Sequence, residues 1–190
     1  ELLNTKYDVA TANPPYTDSG AYGPELKAFI EENYKKPYKF HTNLYASFIK
    51  RCFEITCADG KLAMIHPLAF MFIKTFEDVR KFILRKLHIN IFVHYGPDSK
   101  NLFDGAFASA PSFYVLEKSI HKDRNSWFVS LDRYTRTSNE KNKKDFCLRA
   151  LADYITSVAN KHNFSIPQSK LELIKSWPFI YWISDEFRKN

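Results

Sequence analysis

The sequence predicts an α/β fold with a mixed sheet, on three observations. Residues 6–12 (KYDVATA) form a short, β-branched, mostly apolar run, and Pro14 and Pro15 then forbid continuation of a sheet ladder. Across residues 43–56 the apolar positions Leu44, Tyr45, Phe48, Ile49, Cys52 and Phe53 keep a 3.6-residue period, with Lys50, Arg51 and Glu54 on the other side. A second apolar run, residues 61–66, is stopped by Pro67. Strand, helix, turn, strand is a crossover, so these two strands should be parallel.

Between and beyond these lie the other elements. Residues 17–24 carry Gly20, Gly23, Ser19 and Asp18 and predict a mobile loop beside the first strand end. Leu26, Phe29 and Ile30 have helical spacing, and Pro37 closes that helix. Ala58-Asp59-Gly60 predicts a turn ahead of the second strand. Thr75 and Asp78 resemble a weak helix cap, and Phe76, Val79, Ile83 and Leu87 predict a stripe beneath Arg80, Lys81, Arg85 and Lys86. Ile89, Ile91, Val93 and Tyr95 alternate as a third strand, and residues 112–116 make a fourth. Residues 96–111 read as a loop and not a crossover helix, so these last two strands should be antiparallel. Further on, residues 127–131 suggest another strand, and the hydrophilic run 139–145 a solvated start to a helix with Cys147, Leu148, Leu151 and Ile155 on one face. Residues 160–190, with Pro167 and Pro178, read as an irregular aromatic tail. A domain over residues 1–118 with an extension over 119–190 is the expected division.

Hydrophobic residues make up 45% and aromatics 16% of the 190 residues, enough to fill a core and to exclude a disordered chain. The formal charge of +7 suits a polyanionic partner. Cys52, Cys57 and Cys147 form no Cys-x-x-Cys pair, so neither a disulfide framework nor a metal site is expected, and a reducing, cytoplasmic location fits. The longest apolar run, residues 62–73, is too short to span a membrane and contains His66 and Pro67. Lys35, Lys36 and Lys39 interleave with Tyr34, Tyr38 and Phe40, an arrangement able to track a DNA backbone or simply to form a solvated loop.

Asn13-Pro14-Pro15-Tyr16 carries the chemistry. Ligands of open α/β sheets bind at the carboxyl ends of strands, where this turn falls. An exocyclic amine on a conjugated ring is a poor nucleophile because its lone pair is delocalised. Two acceptors receiving both amine protons localise that pair, and the Asn13 side-chain oxygen and the Pro14 carbonyl can do so. Proline has no N–H to compete, and a neutral Asn avoids a buried carboxylate. Tyr16 offers a face on which a planar base can stack. The partner of such an amine is an activated methyl group, as in S-adenosylmethionine.

A strand ending in Asn13-Pro14-Pro15-Tyr16, then a crossover helix, then Gly60-Lys61-Leu62-Ala63, resembles the amino-group methyltransferases that act on adenine N6 in DNA. Residues 43–52, 60–65 and 72–80, with Ile166-Pro167-Gln168-Ser169 and Tyr181-Trp182, resemble the PglX adenine methyltransferases of BREX phage-defence systems. The resemblance implies part of a Rossmann-like methyltransferase domain, strands four to seven of the usual seven, with a small α+β tail. It implies double-stranded DNA as partner and S-adenosylmethionine as methyl donor. Asn13, Pro14, Pro15 and Tyr16 would be catalytic, with Leu44, Tyr45 and Phe48 near the donor's methionine end and Phe103 or Phe107 stacking opposite Tyr16. The five glycines form no Gly-x-Gly cluster, so the cradle for the donor is missing. The chain is therefore expected to be a fragment, inactive alone, without strands one to three and without a target-recognition domain. The edge at residues 7–12 should then pair with another chain, by self-association or otherwise, or be covered by the tail. Protein-glutamine or RNA amino-methylation, and a non-catalytic DNA-binding role, remain as alternatives.

Overall fold

The structure is a computed structural model and describes residues 5–97, 110–119, 123–132, 143–158 and 160–188. Six strands form one mixed sheet: β1 (Tyr7–Ala12), β2 (Thr56–Pro67), β3 (His88–His94), β4 (Pro111–Glu117), β5 (Asn125–Ser130) and β6 (Asn163–Pro167). Their spatial order is β1-β2-β4-β3-β5-β6. β1 and β2 are parallel, as are β3 and β5, while β4 runs antiparallel to both β2 and β3. Four strands thus share one direction, and β1, β2, β3 and β5 end on a common rim. β6 closes the far edge antiparallel to β5.

Helices α1 (Pro24–Tyr34), α2 (Leu44–Ile55) and α3 (Glu77–Lys86) precede β2 and β3. The main core lies between the sheet and α2 and α3, with Ile49, Leu62, Val79, Ile83, Ile89 and Phe92 fully buried. α4 (Lys143–Ile155) packs a second, smaller core against Val93, Val129 and Leu131. The one-turn helix α5 (Asp185–Arg188) ends the described chain.

Several expectations need correction. The Ala58-Asp59-Gly60 turn is a bulge inside one continuous strand: Tyr7 pairs with Thr56 but Val9 with Lys61. Asp59 takes a positive φ of 59°, yet hydrogen bonds of Asp59 N and Gly60 O to the Lys118 backbone keep the segment on the sheet. Thr75 does not cap α3; Phe76 occupies that position without a side-chain bond.

Arg80, expected on the solvated side, is fully buried and donates to the carbonyls of Phe70, Ile73, Ser176 and Trp177 at 2.7–3.0 Å. Those carbonyls lie outside the α-helices and the strand ladders, and the guanidinium fork satisfies four of them at once. Lys143, expected in a solvated run, is 4% exposed and sits over the Tyr95 ring. On α4 Cys147 and Ala150 are buried together with Lys143, whereas Leu148 and Ile155 are 56% and 78% exposed.

The tail is irregular only in part, over residues 174–184. β6 extends the sheet, and Gln168 enters the core, where its Oε1 accepts from Ile89 N at 2.7 Å and its Nε2 donates to Leu87 O at 2.8 Å. Because the tail packs at the β3, β5 and β6 side, it does not cover β1. Among the described residues β1 pairs on one side only, and Val9 is 59% exposed. No helix among the described residues is long and apolar enough to cross a membrane.

Candidate active site

β1 delivers Asn13 to the rim, and the two prolines turn the chain outward. Asn13 and Pro15 are exposed, Pro14 is buried and Tyr16 is half-buried against the core. The Tyr16 hydroxyl donates to Asn13 Oδ1 at 2.8 Å. Burial raises the Tyr16 phenol above its ordinary pKa, so it stays a donor at neutral pH.

Beyond the turn, the chain is fixed to α2. Asn43 Nδ2 donates to Tyr16 O at 3.2 Å and to Asp18 Oδ1 at 2.6 Å, while its Oδ1 accepts from Tyr45 N at 3.2 Å as the helix cap. Leu44 N adds a bond to Thr17 O at 3.0 Å. One Asn side chain therefore ends the loop and begins the helix. Sequence reasoning missed this role, although an Asn directly before an amphipathic period is a helix-start signal.

Asn13 lines a hollow of about 480 Å³ with Thr11, Ala63, Ile65, Phe113 and Val115, on the sheet face opposite the main core. α4 packs on that face over β3 and β5 and reaches the hollow with Leu151; among the described residues no helix covers the part over β1 and β2. The hollow is mostly apolar apart from Asn13 and Thr11.

Asn13, Pro14, Pro15 and Tyr16 are consecutive on one turn, and the α2 candidates begin beside it at Leu44, whose N–H donates to Thr17 O. Tyr45 is 3% exposed and stacks on His66 at 4.4 Å between ring centroids, 8° from parallel. Leu44 and Phe48 line a groove of about 330 Å³ facing α1 with Leu26 and Phe29. Phe103 and Phe107 lie outside the described residues. Lys35 pairs with Glu31 at 3.4 Å and Lys39 with Asp78 at 2.8 Å, both largely exposed, and Lys36 is exposed.

His66 at the end of β2 is structural. Its Nδ1 lies 3.0 Å from Pro67 O, which can only accept, so Nδ1 carries the proton and Nε2 accepts from the Tyr114 hydroxyl at 2.8 Å. Complete burial holds its pKa down to about 4, so the ring is neutral and both of its nitrogens are bonded. Among the described residues no group of three or more His, Cys, Asp or Glu could hold a metal ion.

The adenine-specific methyltransferase PglX of Lacticaseibacillus casei is 24% identical over 187 residues, covering 97% of this chain and 14% of that protein. The adenine-specific methyltransferase BrxX of Escherichia coli is 22% identical over 186 residues, covering 98% of this chain and 14% of that protein. The chain thus spans about one-seventh of these relatives. In structure, the methyltransferase subunit of a type I restriction-modification system from Streptococcus thermophilus superposes with a TM-score of 0.62 at 15% identity, over 93% of this chain and 38% of that one. Residues 2–103, which carry the Asn13–Tyr16 turn and the first three strands, match the Eco57I restriction-modification methylase family, and the chain belongs to that family.

Proposed function

We propose that this chain supplies the target-base half of an enzyme that methylates adenine N6 in DNA, as part of a BREX or restriction-modification system. The observation that carries the reading is Asn13 Oδ1 on the rim, 2.8 Å from the hydroxyl of a tyrosine on the same turn. The amide oxygen has two lone pairs and Tyr16 occupies one. The other, with the Pro14 carbonyl, can accept the two protons of an exocyclic amine and return its lone pair to the nitrogen. Tyr16 supplies the stacking face for a base drawn out of the duplex.

S-adenosylmethionine, when bound, provides a methyl group on a positively charged sulfur. The residues present fit the reacting end of such a donor: the mostly apolar hollow beside Asn13 gives a methyl group an apolar surface to approach along. They do not fit its nucleotide end, since Gly20, Gly23, Gly60, Gly96 and Gly105 are scattered and form no phosphate-type cradle. The open sheet face over β1 and β2, with the outer edge of β1, is where the complementary half of the domain would seat in a longer protein. Lys36 is the lysine of its loop best placed to meet a phosphate, because Lys35 and Lys39 already face acids.

The test uses the full-length protein carrying this chain, labelled S-adenosylmethionine, and separate DNA, RNA and protein substrates. Label in DNA that is lost with Asn13→Ala is the expected result. Label in protein or RNA alone, or full DNA methylation by Asn13→Ala, would sink the assignment. Salt-dependent DNA binding without any transfer would leave a binding module instead.

A further inference from the structure

A second cavity, of about 530 Å³, opens on the same rim at the ends of β3 and β5. It is lined by His94, Ser130, Asp132, Lys161, His162 and Trp182, with Phe164 behind. None of these residues belongs to the Asn13–Tyr16 turn. Three to four strand spacings of about 4.8 Å separate β1 from β3 and β5, which puts the cavity roughly 14–19 Å from Asn13 along the rim.

The walls are built. Trp182 is held edge-on by Tyr181 at 5.0 Å and Phe72 at 6.0 Å, and is still 41% exposed. His162 Nδ1 donates to Ser130 O at 3.0 Å, which fixes the ring and leaves Nε2 directed elsewhere. His94, 6% exposed, has Nδ1 3.3 Å from the Tyr181 hydroxyl and Nε2 4.0 Å from Asp132 Oδ1. Lys161 is exposed and faces no acid in an ion pair among the described residues. The combination is a fixed aromatic face, an available cation and imidazole, and a carboxylate with one exposed side. A base needs a π-face and an acceptor for its amine; its phosphate needs cations. The volume lies within the range of small-molecule sites.

We propose that this cavity is a second nucleotide subsite, in which Trp182 stacks an unpaired base, Asp132 and the His162 Nε2 accept from its polar edge, and Lys161 holds its phosphate. It rests on the reading of the rim as the DNA-facing side, and adds a contact some four to six base-pair steps from the target at about 3.4 Å per step. The shared chemistry, a base with a phosphate, is also that of a free mononucleotide.

The experiment measures anisotropy of fluorescein-labelled single-stranded (dA)12 with the full-length protein and its variants, at several salt concentrations and with adenosine 5′-monophosphate as competitor. Trp182→Ala should weaken (dA)12 by roughly five- to a hundred-fold, and Trp182→Phe should restore most of it. Lys161→Ala should lower the slope of log affinity against log salt by about 0.7. Displacement by the mononucleotide at micromolar concentration would identify a free nucleotide as the source; displacement only by oligonucleotide would identify DNA. Unchanged affinity and slope in Trp182→Ala and Lys161→Ala, with wild-type melting temperatures, would overturn the subsite, as would a wild-type protein that binds neither probe. Failure here with Asn13-dependent DNA methylation intact removes only the subsite. Loss of binding in these variants of a protein that methylates no DNA keeps the subsite and removes the proposed function.

Discussion

The Tyr16 hydroxyl and the Asn13 side-chain oxygen are joined by a hydrogen bond of 2.8 Å, so the ring proposed to stack a base also holds the acceptor proposed to activate it. The two roles separate by substitution. Tyr16→Phe keeps the ring and frees a lone pair on Asn13, and should leave methylation of DNA within a few-fold of wild type. Tyr16→Ala removes the ring and should reduce kcat/KM by roughly 1–3 kcal/mol in transition-state terms. Equal losses in the two variants would show that the hydroxyl, and not the face, is what matters.

Asn43 predicts a second separation. Its side chain caps α2 and also holds the Tyr16 carbonyl and Asp18. Asn43→Ser retains an acceptor for the cap but loses the reach to Tyr16, so stability should change little while KM for DNA rises. Asn43→Ala loses both, and should cost about 1 kcal/mol of stability in urea unfolding on top of the KM effect. A serine variant with wild-type kinetics would contradict the positioning role.

Two groups contribute to acid stability in separate windows. The His66 pKa is lowered to about 4 in the folded chain by burial. The unfolded chain therefore takes up its proton first, and stability present above about pH 6.5 is lost as pH falls toward 4, at up to about 1.4 kcal/mol per pH unit. Glu117 is held down to about 2 by hydrogen bonds from Asn90, Ser119 and Arg124, against desolvation. Its contribution is present above the ordinary carboxylate range and is lost between about pH 4.5 and 2. Urea midpoints measured from pH 7.5 to 4.5 should fall, and His66→Gln should flatten the upper part of that curve; a flat wild-type curve would refute the neutral assignment.

Gly60 is predicted to resist substitution for a steric reason. A Cβ at that position would lie 2.6 Å from Thr56 Cγ2 and 2.9 Å from the Asp8 carbonyl oxygen of β1. Gly60→Ala should push β1 away from β2 and cost roughly 1–3 kcal/mol in a denaturant titration. An unchanged midpoint would mean that β1 yields freely.

The order of strands and helices as far as α4, the parallel β1 and β2 and the antiparallel β3 and β4 were legible, because period, proline stops and loop length act over a few residues. The Asn13–Tyr16 site was legible as a motif, since all of its groups lie within four consecutive residues. What sequence could not show were pairings between distant segments. Arg80 reads as surface by its charge, and only the arrival of Ser176 and Trp177 turns it into a buried clamp. Gln168 reads as a tail residue until the Ile89 N–H and Leu87 carbonyl meet it. Leu148 and Ile155 share one helical stripe, yet the sheet selects the neighbouring stripe of Cys147 and Ala150. Leu44, Tyr45 and Phe48 show the same limit: the period marks them as one apolar side without saying that Tyr45 turns to His66 while Phe48 turns to α1.

The place of β4 between β2 and β3 has a consequence in time. As a ribosome releases the chain from its amino end, β1, β2 and β3 emerge before β4. β2 and β3 cannot pair with each other without usurping the slot reserved for β4, so two unsatisfied edges must face each other across a gap of one strand until it arrives. Emergence of residues 95–117 is thus the interval in which the two edges stand unpaired, and shielding of strand edges would act there.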